Sequence, residues 1–193
     1  ALLLQALGRA PQVLVILEGK ADYQALDPLW AHFGLRDKVL PVTSGGGGWH
    51  EIVDSAKALR EGLERFRLRT DVFVLLDGNG DTPAKEAYLS AQGFAGDRSH
   101  VWSQKEIESY LPIPTALHKI SGVPLEGVRE AIDDRPGTAG KDRLEKVLDA
   151  LGIKGTANNV IVKNALANCP QEIPPELMEV PQKIRRMLGL PPT

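Results

Sequence analysis

Asp71-Val72-Phe73-Val74-Leu75-Leu76 carries no charge after its first residue and then breaks onto Asp77-Gly78-Asn79-Gly80-Asp81. A continuous apolar run of strand length, rich in β-branched residues and bounded by turn formers, marks a strand covered on both faces. Val13-Leu14-Val15-Ile16-Leu17 is a second run of this kind, and it breaks onto Glu18-Gly19-Lys20-Ala21-Asp22. Between the two, residues 21–33 read as a helix ending at Gly34. Val39-Leu40-Pro41-Val42-Thr43 is a weaker strand whose proline places it at an edge or a strand end. Helices are expected over about 49–66 and 82–92, and a short fourth strand over 99–103. Strand–helix alternation of this form predicts a parallel, right-handed α/β sheet.

From Pro112 onward the strand signal disappears. Helical patterns are expected near 114–121, 124–133, 138–151, 156–168 and 174–188, parted by Gly and Pro. Leu144, Val147, Leu148 and Leu151 share one helical face. The organisation expected is a Rossmann-type sheet flanked by helices over residues 1–111, then a small all-helical subdomain over 112–193. With 193 residues, 42% hydrophobic and 25% charged, the chain can bury a full core without a disulfide or structural metal. The one cysteine, Cys169, has no partner in the chain, which favours a reducing cytoplasm. A net charge of −2 means that any grip on nucleic acid relies on local patches, metal ions or a partner. No apolar run reaches membrane-spanning length. Ala1-Leu2-Leu3-Leu4 has no initiator Met and no basic leader, so the chain reads as a piece of a longer protein.

In an open parallel sheet, functional side chains gather at the carboxyl ends of the strands. Three acidic sets fall there: Glu18 with Asp22, then Asp77 with Asn79 and Asp81, and then Glu106 with Glu108 in Trp102-Ser103-Gln104-Lys105-Glu106-Ile107-Glu108-Ser109-Tyr110. Converging carboxylates repel unless a cation neutralises them. Oxygen donors without His or Cys suit a hard ion, Mg2+ or Mn2+, one or two per site. Taken singly, Glu18 and Asp77 also read as acids serving a helix N-terminus, and Asp77 to Asp81 as a polar surface turn. Ser44-Gly45-Gly46-Gly47-Gly48 reads either as a flexible loop or as a phosphate cradle at a helix N-terminus; it lacks the Gly-Lys-Ser/Thr of a P-loop. His32, His50, His100 and His118 show no zinc-like spacing.

Taken together, Glu-Gly-x-x-Asp after one strand and Asp-x-Asn-x-Asp after a later one resemble the TOPRIM domain of topoisomerases, primases, recombination mediators and a nuclease family. Glu106-Ile107-Glu108-Ser109-Tyr110-Leu111 is similar to the Glu-Ile-Glu-Asn-Tyr-Leu segment of the OLD (overcoming lysogenization defect) nucleases, which place an ABC-type ATPase domain ahead of a C-terminal TOPRIM domain and a helical region. The motifs span about residues 12–112. The resemblance implies metal-dependent phosphodiester hydrolysis on DNA, with Glu18, Asp22, Asp77, Asn79, Asp81 and Glu108 as ligands. It also implies a lysine in the helical region near the scissile phosphate: Lys141 first, Lys154 as the alternative. Glu108 is preferred to Glu106, because residues two apart on a helix face opposite ways. An upstream ATPase domain and a homodimer of the longer protein belong to the same expectation.

Asn79 departs from the family, which has a second Asp there; its carbonyl can ligate but brings no charge. A TOPRIM module that binds metal and nucleic acid without cutting is therefore the alternative reading, and a primase or RNA maturase is another. Tyr23, Tyr88 and Tyr110 read as structural, against strand passage. The basic stretches Arg65-Phe66-Arg67-Leu68-Arg69 and Lys183-Ile184-Arg185-Arg186 read either as phosphate grips or as polar helix ends.

Overall fold

A computed structural model of the chain describes residues 11–44, 47–134 and 140–191. The described elements run β1 (Val13–Leu17), α1 (Lys20–His32), β2 (Val39–Thr43), α2 (Trp49–Arg65), β3 (Asp71–Leu76), α3 (Thr82–Ala91) and β4 (Ser99–Val101). Five further helices follow: α4 (Pro114–Ser121), α5 (Leu125–Asp133), α6 (Gly140–Ala150), α7 (Asn158–Asn168) and α8 (Pro175–Met187). Every strand and helix expected from sequence among these residues is present. β4 ends two residues early at Val101, because the chain turns there toward a short 3-10 helix at Ile107–Tyr110.

The four strands are all parallel, in the order β2-β1-β3-β4. Pro41 accordingly lies in an edge strand, where its missing N–H costs least. β1 continues to β2 on one side while β3 lies on the other, so the carboxyl ends of β1 and β3 flank the point where strand order reverses. That crevice is where ligands bind in open α/β sheets.

Alternation sorts the strand side chains to two faces. Val13, Val15, Leu17, Phe73 and Leu75 pack on α1 and on the C-terminal helices, with Leu144, Ile161, Leu177 and Ile184 in the same cluster. Ile16, Val72, Val74, Leu76 and Val101 pack on Ile52, Val53 and Ala56 of α2 and Leu89 of α3. The helices after residue 112 thus close one face of the sheet, and their apolar core is continuous with it. Truncating one of the fully buried strand residues, such as Leu17, should cost about 3 kcal/mol. No helix among the described residues is long and apolar enough to cross a membrane.

Candidate metal centre

Register places the acids side by side. Leu17 is level with Thr43 of β2 and Leu75 of β3, so Glu18 and Asp77 leave adjacent strands together. Glu18 Oε1 accepts the Asp77 backbone N–H at 2.8 Å, and Ser44 Oγ approaches the Glu18 carbonyl at 3.4 Å. Asp22, in the first turn of α1 and buried, accepts from Gly19 N–H at 3.3 Å and from the Trp102 indole N–H at 3.2 Å.

The loop after β3 fits under the loop after β4 only because residue 78 is glycine. A Cβ on Gly78 would stand 1.9 Å from the Trp102 carbonyl oxygen and 2.1 Å from that of Gln104. Gly78 N–H also donates to Lys105 O at 3.1 Å. Such contacts distinguish the Asp-Gly-Asn-Gly-Asp segment from an ordinary surface turn.

Glu106 and Glu108 both turn toward this crevice. Glu106 does not lie on a helix; it is the extended residue preceding the 3-10 turn, so the opposite-faces argument does not apply to it. Its Oε1 accepts the Lys141 backbone N–H at 2.8 Å. Gly140, at φ +66°, makes the approach feasible, since a Cβ there would lie 1.8 Å from that carboxylate oxygen. Glu108 is buried and carries a hydrogen bond from the Asn158 side chain.

The electrostatics follow from the crowding. Burial first, then Asp22, Glu18, Glu106 and Glu108, push the Asp77 carboxyl up to about 8. Burial likewise lifts Asp22 to about 6, against the Trp102 and Gly19 hydrogen bonds and with help from Glu108 and Glu18. Glu108 is raised, chiefly by burial, while Lys141 partly offsets the rise. The donor set is all oxygen, and a hard divalent cation would relieve the repulsion, so the residues fit Mg2+ or Mn2+. Among the described residues no three His, Cys, Asp or Glu side chains already close around one point. A cage of that kind is what Mg2+ dispenses with, since it usually keeps several waters and takes one or two carboxylates.

The other sequence-predicted residues are placed differently. Asp81 is exposed at the N-cap of α3. Asn79 Oδ1 accepts a short hydrogen bond from Lys85 Nζ. Lys141 leads into α6 with its side chain 64% exposed, 3.7 Å from Glu145. It lines a groove of about 360 Å3 together with Lys20, Gln24, Glu108 and Asn158; Lys154 lines a separate cavity. Gly45 and Gly46 lie outside the described residues. Gly47 stands against the Glu51 carboxylate, which already brings negative charge to the α2 N-terminus.

The basic stretches serve elsewhere. Arg65 to Arg69 lead into the start of β3, the end of the sheet opposite the acids. Lys183 donates to Ser99 O at 3.0 Å, Arg185 to Phe33 O at 2.6 Å, and Arg186 pairs with Asp97 at 2.7 Å. Cys169 is free and buried.

Two residues that sequence reading passed over matter here. Lys85 is fully buried and reaches back to the Asp77 carbonyl at 2.6 Å as well as to Asn79. The signal lay in its position one turn before Leu89, on the inward face of α3. Glu176, on α8, accepts Ser103 N–H at 2.6 Å, Tyr110 O–H at 2.7 Å, the Ser103 hydroxyl, and His100 Nε2 at 3.1 Å. It tethers the loop that carries Glu106 and Glu108, and no local pattern announces a contact spanning this much sequence.

The fold and crevice define an α/β protein with an acidic, oxygen-only site at the switch point of a parallel sheet. No family model matches the sequence, and no curated protein matches it. Among solved structures, the chain is similar to the C-terminal region of the OLD protein of Xanthomonas campestris pv. campestris, with a TM-score of 0.57 and 14% identity. The match covers 93% of this chain and 97% of that one, so both the sheet and the helical region share the OLD C-terminal fold.

Proposed function

We propose that this chain is the catalytic region of a Mg2+- or Mn2+-dependent DNA endonuclease of the OLD type. The observation that carries the reading is the crowding of Glu18, Asp22, Glu106 and Glu108 around half-buried Asp77 at the switch point of the sheet, which together with burial pushes its carboxyl up to about 8. Structural acids are normally paired, and a site that leaves them uncompensated is arranged for a cation from outside. Glu18, Asp22, Asp77 and Glu108 supply the negative charge of this reading, one or two of them as direct ligands, with Asn79 and Asp81 at its exposed side. When bound, the ion supplies an acidified water and neutralises charge on the phosphodiester. Glu18 meanwhile fixes the end of β3 through the Asp77 N–H. Lys141 and Lys20, lining the groove beside Glu108, offer positive charge to a phosphate. The same reading extends to an ABC-type ATPase domain upstream in a longer protein, a homodimer of that protein and a cytoplasmic location; of these, only membership of a longer protein draws on the likeness to an OLD C-terminal region.

The test is nicking of supercoiled plasmid in Mg2+, Mn2+, Ca2+ or EDTA, beside Glu18→Ala and Asp77→Ala. Nicking that needs Mg2+ or Mn2+ and disappears in both variants is expected. Cutting that survives chelation and both substitutions would overturn the reading. Metal-dependent DNA binding without cutting would make the chain a binding module, the reading that Asn79 favours.

A further inference from the structure

Lys85 is the buried lysine of the described residues, 1% exposed, yet no carboxylate meets its ammonium. Taking an ammonium out of water is expensive and is tolerated only where strong acceptors replace the hydration shell. Here the acceptors are two neutral oxygens of one loop, the Asp77 carbonyl and Asn79 Oδ1. Lys85 therefore closes the Asp77-to-Asp81 loop from α3, and it places a fixed positive charge beneath that loop.

Position 79 is where the Asp-x-Asp pattern would supply a second charged ligand. In this chain the side chain there is neutral, and its oxygen already receives the ammonium. A divalent ion bound to Oδ1 at ~2 Å would lie within roughly 5 Å of a like charge. Deleting the carboxylate and installing a buried cation act in the same direction: both disfavour a divalent ion on the Asn79 side.

We infer that Lys85 is an internal substitute for a second metal ion, so that the site takes one divalent cation per chain, on the Glu18–Asp77 side. The inference rests on the metal-site reading above and deepens it. Lys85 is a positioning residue: it is buried, and it acts by holding the loop and excluding the second ion.

Mn2+ binding measures this directly, by calorimetry and by electron paramagnetic resonance of the loaded protein. The native chain should bind one Mn2+ and give the six-line spectrum of an isolated ion. Asn79→Asp alone, isosteric and at an exposed position, should still bind one, because the new carboxylate pairs with Lys85. Asn79→Asp combined with Lys85→Met, which keeps the length of the buried stem, should bind two and give an exchange-coupled spectrum. Two ions in the native chain, or in Asn79→Asp alone, would overturn the inference and leave the nuclease reading standing. The same holds for a folded double variant that binds only one. No Mn2+ binding at all would overturn the metal reading itself, and this inference with it.

Discussion

Two half-buried carboxylates in this molecule face opposite circumstances. Glu176 accepts from a backbone N–H, two hydroxyls and His100; burial would raise its carboxyl, but those bonds outweigh burial and hold it below the ordinary range. Asp77 is also half-buried, but its neighbours are acids, and burial together with them drives it up to about 8. An acid that builds structure has its donors supplied by the fold. An acid that the fold leaves in deficit marks a place where something from outside is expected to bind.

The sharpest way to break this contrast is to delete each acid. Asp77→Ala should abolish Mg2+- or Mn2+-dependent nicking, by ~10^3-fold or more for a loss of several kcal/mol of charge stabilisation. It should also leave the metal-free protein as stable as before or more so, because a repelled carboxyl is gone. Glu176→Ala should do the reverse in stability. It strands the Ser103 N–H and the Tyr110 hydroxyl, and should cost about 3 kcal/mol in denaturant unfolding. If Asp77→Ala destabilises as much as Glu176→Ala, the two acids are alike and the contrast fails.

A smaller effect is expected of Lys141→Ala. Removing a desolvated donor from a catalytic site costs about 10^2–10^3-fold, but this side chain is 64% exposed, so a loss of about 30-fold in nicking rate is expected. Melting should be unchanged within about 0.5 kcal/mol. Lys154→Ala, in a separate cavity, is the control and should not alter the rate.

The mildest test is pH. Asp77 and Asp22 have folded-state values of about 8 and about 6, both above the ~4 of an unfolded chain. Their contribution to stability is fully present below about pH 4 and is lost as pH rises through 6 and 8. In EDTA the melting temperature should therefore fall by a few degrees between pH 5 and 8.5, and Mg2+ or Mn2+ should restore it at the upper end. A metal-free protein that gains stability over this interval would contradict the electrostatics of the crevice.

The strands were readable because each is a short apolar run that ends on a turn, and the acids because strand ends are known places in a parallel sheet. Glu18, Asp22, Asp77 and Glu108 could be named on that ground. Glu106 was harder: the helix rule set it aside, yet the chain is extended there, and its carboxylate reaches both the Lys141 N–H and the surroundings of Asp77. Lys85 looked like one more helix lysine until α3 turned its face inward. The basic stretches read either as phosphate grips or as polar helix ends, and the second reading fits where the structure puts them, at the end of the sheet opposite the acids or bonded within the fold.

Local chemistry alone thus determined where strands begin and end, which faces are apolar, and which acids stand at the carboxyl ends. Those are properties of a few adjacent residues and of the two-residue and 3.6-residue periods. Tertiary structure decided what those acids meet. Whether a carboxylate finds donors, as Glu176 does across 73 residues to Ser103, or, among the described residues, other carboxylates, as Asp77 does, depends on chain segments that sequence spacing leaves unrelated. Hydrogen bonds and burial act over a few ångströms in space, and only packing of the helical region onto the sheet brings these groups within that range.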